Sequence, residues 1–258
     1  WTVMIVLYPY ITGLVAGAFI ISSLYHVFGV QQLKPVAKFS LVASFGFLCF
    51  ATCPLLLHLG HPENSLNIMF TPNPRSAMAG FGFIYTAYFV LVAVEMWLTF
   101  RPTLTERANR PGILRPFYRL TCLGIYSIPE PARRLDAKVL TILAGIGVPT
   151  ACFLHGYVGF IFGAIKANPW WPSSLMPVIF LLSAMVSGIS LLTVMYWFTS
   201  KVRGVPVDHA CLRAMITYLW GFLIIDVCME GLELMVLAYE STEEWHILAA
   251  MMTQKIGY

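Results

Sequence analysis

Three carboxylates stand at helical spacing in a run that is otherwise apolar: Asp226, Glu230 and Glu233. Separations of four and three residues put them on one face of an α-helix. In a medium of low dielectric they cannot all stay ionised at that spacing, so at least one holds a proton near neutral pH. The stripe suits a proton path or a water-filled cavity; the alternative is acids that pair with arginines or hydroxyls of neighbouring helices. Glu95 is a further acid within an apolar run. A second set of groups combines imidazole with phenol: Tyr8 and Tyr10, His58 and His61, His155 and Tyr157. Both side-chain types donate and accept hydrogen bonds and exchange protons. They fit a ligand with two carbonyl oxygens held in an apolar slot, as a quinone would be. A rival use of His58 and His155 is axial ligation of a haem b between helices.

The elements that must carry these residues are set by composition. Hydrophobic residues make up 59% of the 258-residue chain and charged residues 11%, with a mean hydropathy of +0.76. A soluble domain is about 45–50% apolar and about a quarter charged. The solvent for this chain is therefore lipid. A helix needs about 20 mostly apolar residues to cross the hydrocarbon core, and six stretches qualify, at about 2–29, 36–59, 77–100, 139–165, 173–200 and 210–239. None alternates polar and apolar as a barrel strand would. The expectation is an all-α polytopic transmembrane bundle forming a single domain over 1–258, with a long loop at 101–138. That loop is rich in Pro and Arg, and its apolar pieces (Phe117, Tyr118, Leu120 and Ile125) leave room for a short interfacial helix.

Orientation follows from the basic residues. Lys34, Lys38, Arg101, Arg107, Arg110, Arg115, Arg119, Arg133, Arg134, Lys138, Lys201, Arg203 and Arg213 fall on one side of the spans, and only Arg75 and Lys166 between spans on the other. Basic residues mark the cytoplasmic side. The amino terminus is then outside, with the loops 60–76, 166–172 and 240–245. No cleavable signal peptide is visible, and 245–258 begins a seventh apolar stretch that stops short or lies on the bilayer surface. The outer third of the membrane then holds the His and Tyr groups together, whereas His26 and His209 fall near the inner face and read as structural. Gly13 and Gly17 form a GxxxG, and Ser183, Ser187 and Ser190 flank Gly188 at helical spacing; both patterns suit close helix packing. The six cysteines include no CxxC pair and read as small buried hydrophobes, not cluster ligands.

Several motifs carry a family resemblance. They are Tyr10-Ile11-Thr12-Gly13-Leu14-Val15-Ala16-Gly17-Ala18; Leu57-His58-Leu59-Gly60-His61-Pro62-Glu63 followed by Ser76-Ala77-Met78; and His155-Gly156-Tyr157-Val158-Gly159-Phe160 leading to Lys166-Ala167-Asn168-Pro169-Trp170-Trp171. With Met176-Pro177 and Ser183-Ala184-Met185-Val186-Ser187-Gly188 they cover about residues 8–190. Over this stretch the chain resembles the NrfD/PsrC polysulfide-reductase membrane-subunit family, and within it the membrane subunits of Dsr-type sulfur-metabolism complexes.

The resemblance implies a quinone-reactive subunit of a multi-subunit oxidoreductase in a prokaryotic inner membrane, exchanging electrons between menaquinone or a related quinone and a ferredoxin-like Fe–S subunit. No haem, Fe–S cluster or metal is expected in the chain itself. By position, Tyr157 matches a quinone-contacting tyrosine, and Tyr8 stands where some members have a quinone-contacting histidine. His58 and His61 adjoin the outer loop 62–75, where the Fe–S partner would dock. Further partners would be a molybdopterin enzyme or a cytochrome c, with membrane lipid around the bundle and no nucleic acid. Tyr157, His155 and His58 are the expected proton-exchanging groups; Tyr8, Tyr157, His58 and His61 are the expected quinone contacts. Asp226, Glu230 and Glu233 are the expected proton path. The alternatives are a haem-b quinone subunit and a proton-coupled transporter. Transporters often carry internal repeats, and none stands out in this sequence.

Overall fold

The fold is known from a computed structural model, which describes residues 3–73, 75–165, 173–241 and 243–255. Among these residues every regular element is helical. In chain order they are α1 (Val3–His26), α2 (Lys34–Ala51), α3 (Cys53–His58), α4 (Asn67–Phe70), α5 (Ala77–Asn109), α6 (Arg115–Thr121), α7 (Glu130–Gly163), α8 (Met176–Val202), α9 (His209–Glu240) and α10 (Glu243–Lys255). Short 3-10 turns at Gln31–Leu33 and Pro62–Leu66 complete the path.

Five segments have the length and apolarity of membrane spans: Val3–His26, Gln31–His58, Ala77–Asn109, Glu130–Gly163 and Met176–Val202. They match the first five expected spans. The chain is therefore an all-α polytopic membrane bundle. The sixth expected span is a continuous helix of 32 residues, α9, which lies outside that set of five. Its start is fixed locally, since the Asp208 carboxylate accepts hydrogen bonds from the backbone N–H groups of Ala210 (2.9 Å) and Cys211 (3.2 Å).

One expectation needs refining and another correcting. The second span is one apolar segment, Gln31–His58, with a local irregularity at Thr52, just before Pro54 in the first turn of α3. Proline lacks an N–H and fits only the first turn of a helix. The loop at 101–138 is also much shorter than expected. α5 runs on to Asn109 and α7 begins at Glu130, with α6 between them. Charge ends an apolar run, but it does not end a helix that has left the hydrocarbon. The Arg101 guanidinium lies 2.8 Å from the Asp136 carboxylate, tying these two extensions together. Arg101 also stands over the Trp97 ring, whose indole N–H donates to the Thr121 carbonyl at 2.8 Å.

α1 is the centre of the bundle. Every residue from Thr12 to Ser23 is buried. α2, α3, α7 and α8 all pack on it. One core cluster joins α1, α2, α5 and α7 through Phe19, Leu48, Tyr88 and Leu154; another joins Ile21, Val36, Ile189 and Met215 at the basic end. Ser44 donates to the Val15 carbonyl at 3.2 Å, an interhelical bond where no water is available. α1 and α8 touch backbone to backbone. A Cβ placed on Gly17 would lie 2.6 Å from the Gly188 Cα, and one on Gly13 would lie 3.3 Å from the Ala184 Cα. The expected packing role of these glycines is what the structure shows. Ser187 and Ser190 donate back to the carbonyls of Ala184 and Ser187. The cysteines are not uniformly buried as expected: Cys122 and Cys211 are buried and Cys53 and Cys152 partly so, but Cys49 and Cys228 are exposed on outer helix faces, where lipid in place of protein covers an apolar group.

Gly17→Ala is expected to destabilise the protein by about 1–3 kcal/mol, since the methyl meets backbone that has no side chain to move. Gly46→Ala, where a Cβ meets nothing within 4 Å, is expected to be neutral or stabilising by up to about 1 kcal/mol. Thermal unfolding of the two variants in detergent checks the contrast.

Candidate functional site

The end of the bundle opposite the basic loops carries an apolar cavity of about 390 Å³. Small-molecule sites span roughly 300–1,000 Å³ and are mostly apolar with a few polar groups. Its walls are α3, the Pro62–Leu66 turn, α4 and the first turns of α5, including Leu55, Leu56, Met69, Met78 and Phe81. The helical turns after Pro62 produce it, because they bring α4 against α5. His61, Thr52 and Tyr85 supply polar groups at the wall. The Tyr85 hydroxyl donates to the Leu48 carbonyl, an acceptor near the end of α2 where the helix ladder is about to break. His61 Nδ1 lies 2.9 Å from the Glu63 carboxylate, and both side chains are exposed. The Glu63 carboxyl is held below the usual carboxylate range by its own backbone N–H and by His61.

Two buried groups outside the cavity have unmet hydrogen-bonding capacity, one of them directly behind its Phe81 wall. Tyr8 is 3% exposed and packs edge-on against Phe81, with ring centroids 5.2 Å apart. Its hydroxyl has no hydrogen-bond partner. His155 is 2% exposed; its Nδ1 lies 3.3 Å from the Ala151 carbonyl, and its Nε2 has no partner. Buried polar groups are nearly always paired, so the orphaned Tyr8 hydroxyl behind an apolar cavity marks a place where a polar ligand atom would be welcome. Deeper still, Tyr88 and Glu95 on α5 are fully buried, each with an unpaired oxygen.

The expected site residues are thus placed at one end of the bundle but not in one slot. His61 borders the cavity, and Tyr8 lies behind its Phe81 wall. Tyr157 is on another side of α5: its hydroxyl donates to the Ala77 carbonyl at 2.9 Å and rests where a Cβ on Gly80 would be. His58 ends α3 in an exposed position, and neither it nor His155 lines the cavity. Tyr10 is 52% exposed. In the acidic stripe only Asp226 is packed, at 6% exposed with one oxygen unpaired. Glu230 is exposed and Glu233 partly so, because α9 beyond Asp226 leaves its neighbours. Lys166 to Trp171, the latter part of one motif, lies outside the described residues. Sequence reasoning misses Tyr85, Tyr88 and Phe81. A signal for them exists: Phe81, Tyr85, Tyr88, Val92, Glu95 and Thr99 form one helical stripe.

The architecture and this site define a membrane-embedded bundle with a ligand-sized apolar cavity flanked by proton-exchanging groups. The family model described as "Polysulphide reductase, NrfD" matches residues 1–256, and the chain belongs to that family. It is similar to a subunit of the selenate reductase of Mesobacillus selenatarsenatis, with 32% identity over 93% of this chain and 57% of the relative. It is also similar to the Hdr-like menaquinol oxidoreductase integral membrane subunit of Archaeoglobus fulgidus, at 23% identity over 87% of this chain and 49% of the relative. A putative dimethyl sulfoxide reductase membrane subunit of Halobacterium salinarum is 26% identical over 88% of this chain and 50% of the relative. The chain therefore spans about half the length of the relatives it matches.

Tyr157→Phe is expected to cost about 1 kcal/mol, the net worth of one hydrogen bond. Gly80→Ala is expected to cost more, about 1–3 kcal/mol from overpacking, less up to about 1 kcal/mol regained in helix propensity. Combined, the two should fall short of additivity, since removing the hydroxyl vacates the space the methyl needs. A double-mutant cycle on thermal unfolding measures this.

Proposed function

We propose that the chain is the quinone-reactive membrane subunit of a multi-subunit oxidoreductase. One observation carries this reading: the apolar cavity at the α3–α4–α5 end, with His61 and Tyr85 in its wall and the unpaired Tyr8 hydroxyl behind Phe81. Family membership supports it, and so does a relative named as a menaquinol oxidoreductase subunit. The quinone, most simply menaquinone, is a substrate that arrives from the lipid. When a quinol is oxidised, two electrons and two protons leave it. The chain's part is to hold the ring, exclude water and take those protons. His61, oriented by Glu63, accepts a proton at the loop side. Tyr85, whose hydroxyl donates to the Leu48 carbonyl, accepts a hydrogen bond from a quinol hydroxyl, and Tyr8, behind Phe81, is the next proton-exchanging group inward. His58, His155 and Tyr157 complete the set: His155 and Tyr157 from the α7 flank, His58 from the tip of α3.

Electrons pass to a ferredoxin-like Fe–S subunit. Its proposed docking surface is the 62–75 loop, where Leu66 and Phe70 are 62% and 79% exposed. Such side chains at the end of a bundle suit a protein partner. A molybdopterin enzyme or a cytochrome c would complete the complex. The excess of basic residues at the other end of the spans supports reading that loop as the outer side of a prokaryotic inner membrane. We further assign α9 as a sixth span, with Asp226, Glu230 and Glu233 on its acidic face as a route for protons.

The test is titration with a fluorescent quinol-analogue inhibitor, following its quenching. Wild type is expected to bind saturably. Gly82→Leu, which drives a side chain toward Ile68 in the cavity wall, is expected to weaken binding at least tenfold. Tyr85→Phe should weaken it about threefold to tenfold, as loss of one hydrogen bond does. Saturable binding unchanged by Gly82→Leu in a folded variant would remove the cavity from the account.

A further inference from the structure

At the basic end, between α5 and α6, lies a second cavity of about 490 Å³, lined by Arg107, Arg110, Arg115, Tyr118 and the turn 111–114. No carboxylate lines it. The acids of this region are engaged elsewhere: Asp136 holds Arg101, Glu130 lies 3.6 Å from Arg134, and Glu106 pairs with Arg110. Among the described residues, Arg107 and Arg115 have no carboxylate within ion-pair distance. Two guanidinium groups are therefore left unneutralised beside the space they line, and they match phosphate geometry well.

Two of the residues lining this cavity are apolar and open to the surroundings: Ile113 is 97% exposed and Leu114 60%. Phe117, Leu120 and Leu123, at 59%, 74% and 72% exposed, continue the apolar surface along the outer face of α6 and just past its end. α5 has 33 residues, about 50 Å of helix, whereas the hydrocarbon core is about 30 Å thick. Its last turns therefore stand in the headgroup layer, and α6 packs back against α5 at that depth. At the boundary between headgroups and acyl chains, exposed apolar side chains suit the chains and the adjacent arginines suit the phosphates. Both halves of a phospholipid are thus matched by neighbouring parts of one surface.

We infer that the Arg107–Arg110–Arg115 cavity binds the headgroup of an anionic phospholipid, with its acyl chains leaving past Ile113 and Leu114. Charge complementarity selects an anionic lipid over a zwitterionic one, because the cavity holds arginines and no carboxylate to receive a choline or ethanolamine. The site is at the opposite end of α5 from the proposed quinone cavity, so it stands whether or not that reading does.

The test uses the purified full chain in neutral detergent, with phosphatidylglycerol or phosphatidylcholine added, and native mass spectrometry to count bound lipid. Wild type is expected to prefer phosphatidylglycerol by about tenfold or more. Arg107→Gln/Arg115→Gln is expected to lower phosphatidylglycerol affinity roughly 25-fold, as two arginines lost at a membrane surface do, and to abolish the preference. Arg107→Lys/Arg115→Lys should retain most of it, and Arg133→Gln/Arg134→Gln should leave it unchanged; thermal unfolding confirms that each variant is folded. The inference is overturned if the Gln variant keeps the preference. It is overturned equally if wild type shows none, or if millimolar inorganic phosphate displaces the lipid, which would make the cavity a site for free anions.

Discussion

The bundle depends on how closely α1 can approach α8. In lipid there is no hydrophobic drive to bring two apolar helices together, so association rests on packing and on interhelical hydrogen bonds. The Gly17–Gly188 contact supplies the packing at backbone range. With α8 this close on one side, α2, α3 and α7 close around the rest of α1, which is buried from Thr12 to Ser23. Tyr8 and Thr12 owe their burial to that enclosure. So does His155, which reaches the core from α7. The unpaired Tyr8 hydroxyl and His155 Nε2 are therefore held by the tightly packed enclosure of α1.

A second constraint is the irregular end of the second span. The turns from Pro62 to Phe70 bring α4 against the first turns of α5 and, with α3, enclose the cavity. Irregular backbone near the membrane boundary is costly unless its polar groups are met. Here the Tyr85 hydroxyl caps the Leu48 carbonyl, and the Leu56 N–H returns to the Thr52 carbonyl at 3.0 Å. The same side chain that satisfies the break lines the cavity, so the local backbone problem and the site share one residue.

Much of this was legible in the sequence. Lipid as solvent forces helices, and the length of the apolar runs fixes where they cross; the first five spans follow from that alone. The glycine contacts were legible because small residues at a four-residue spacing have few other uses. What was not legible is which polar groups meet. Tyr157 and His61 stand at the same end of the bundle, but α5 lies between them, and only packing decides the side. Tyr85 and Tyr88 looked like ordinary apolar-run residues until the helix stripe was set against α1 and α2. The loop 101–138 looked long because hydropathy registers where the membrane stops and not where the helix stops. Asp226 was separated from Glu230 and Glu233 by coverage alone, since all three share a face of α9 but only the first is buried.

The central claim is that a quinone occupies the cavity between α3, α4 and α5. The most direct measurement is photolabelling of membranes containing the full complex with an azido-quinone, followed by peptide mapping. Label is predicted to concentrate in residues 52–69 and 78–86 and to be suppressed by excess unlabelled quinone. Label spread evenly over the lipid-facing helices, or concentrated on α9 and unaffected by competitor, would contradict the claim.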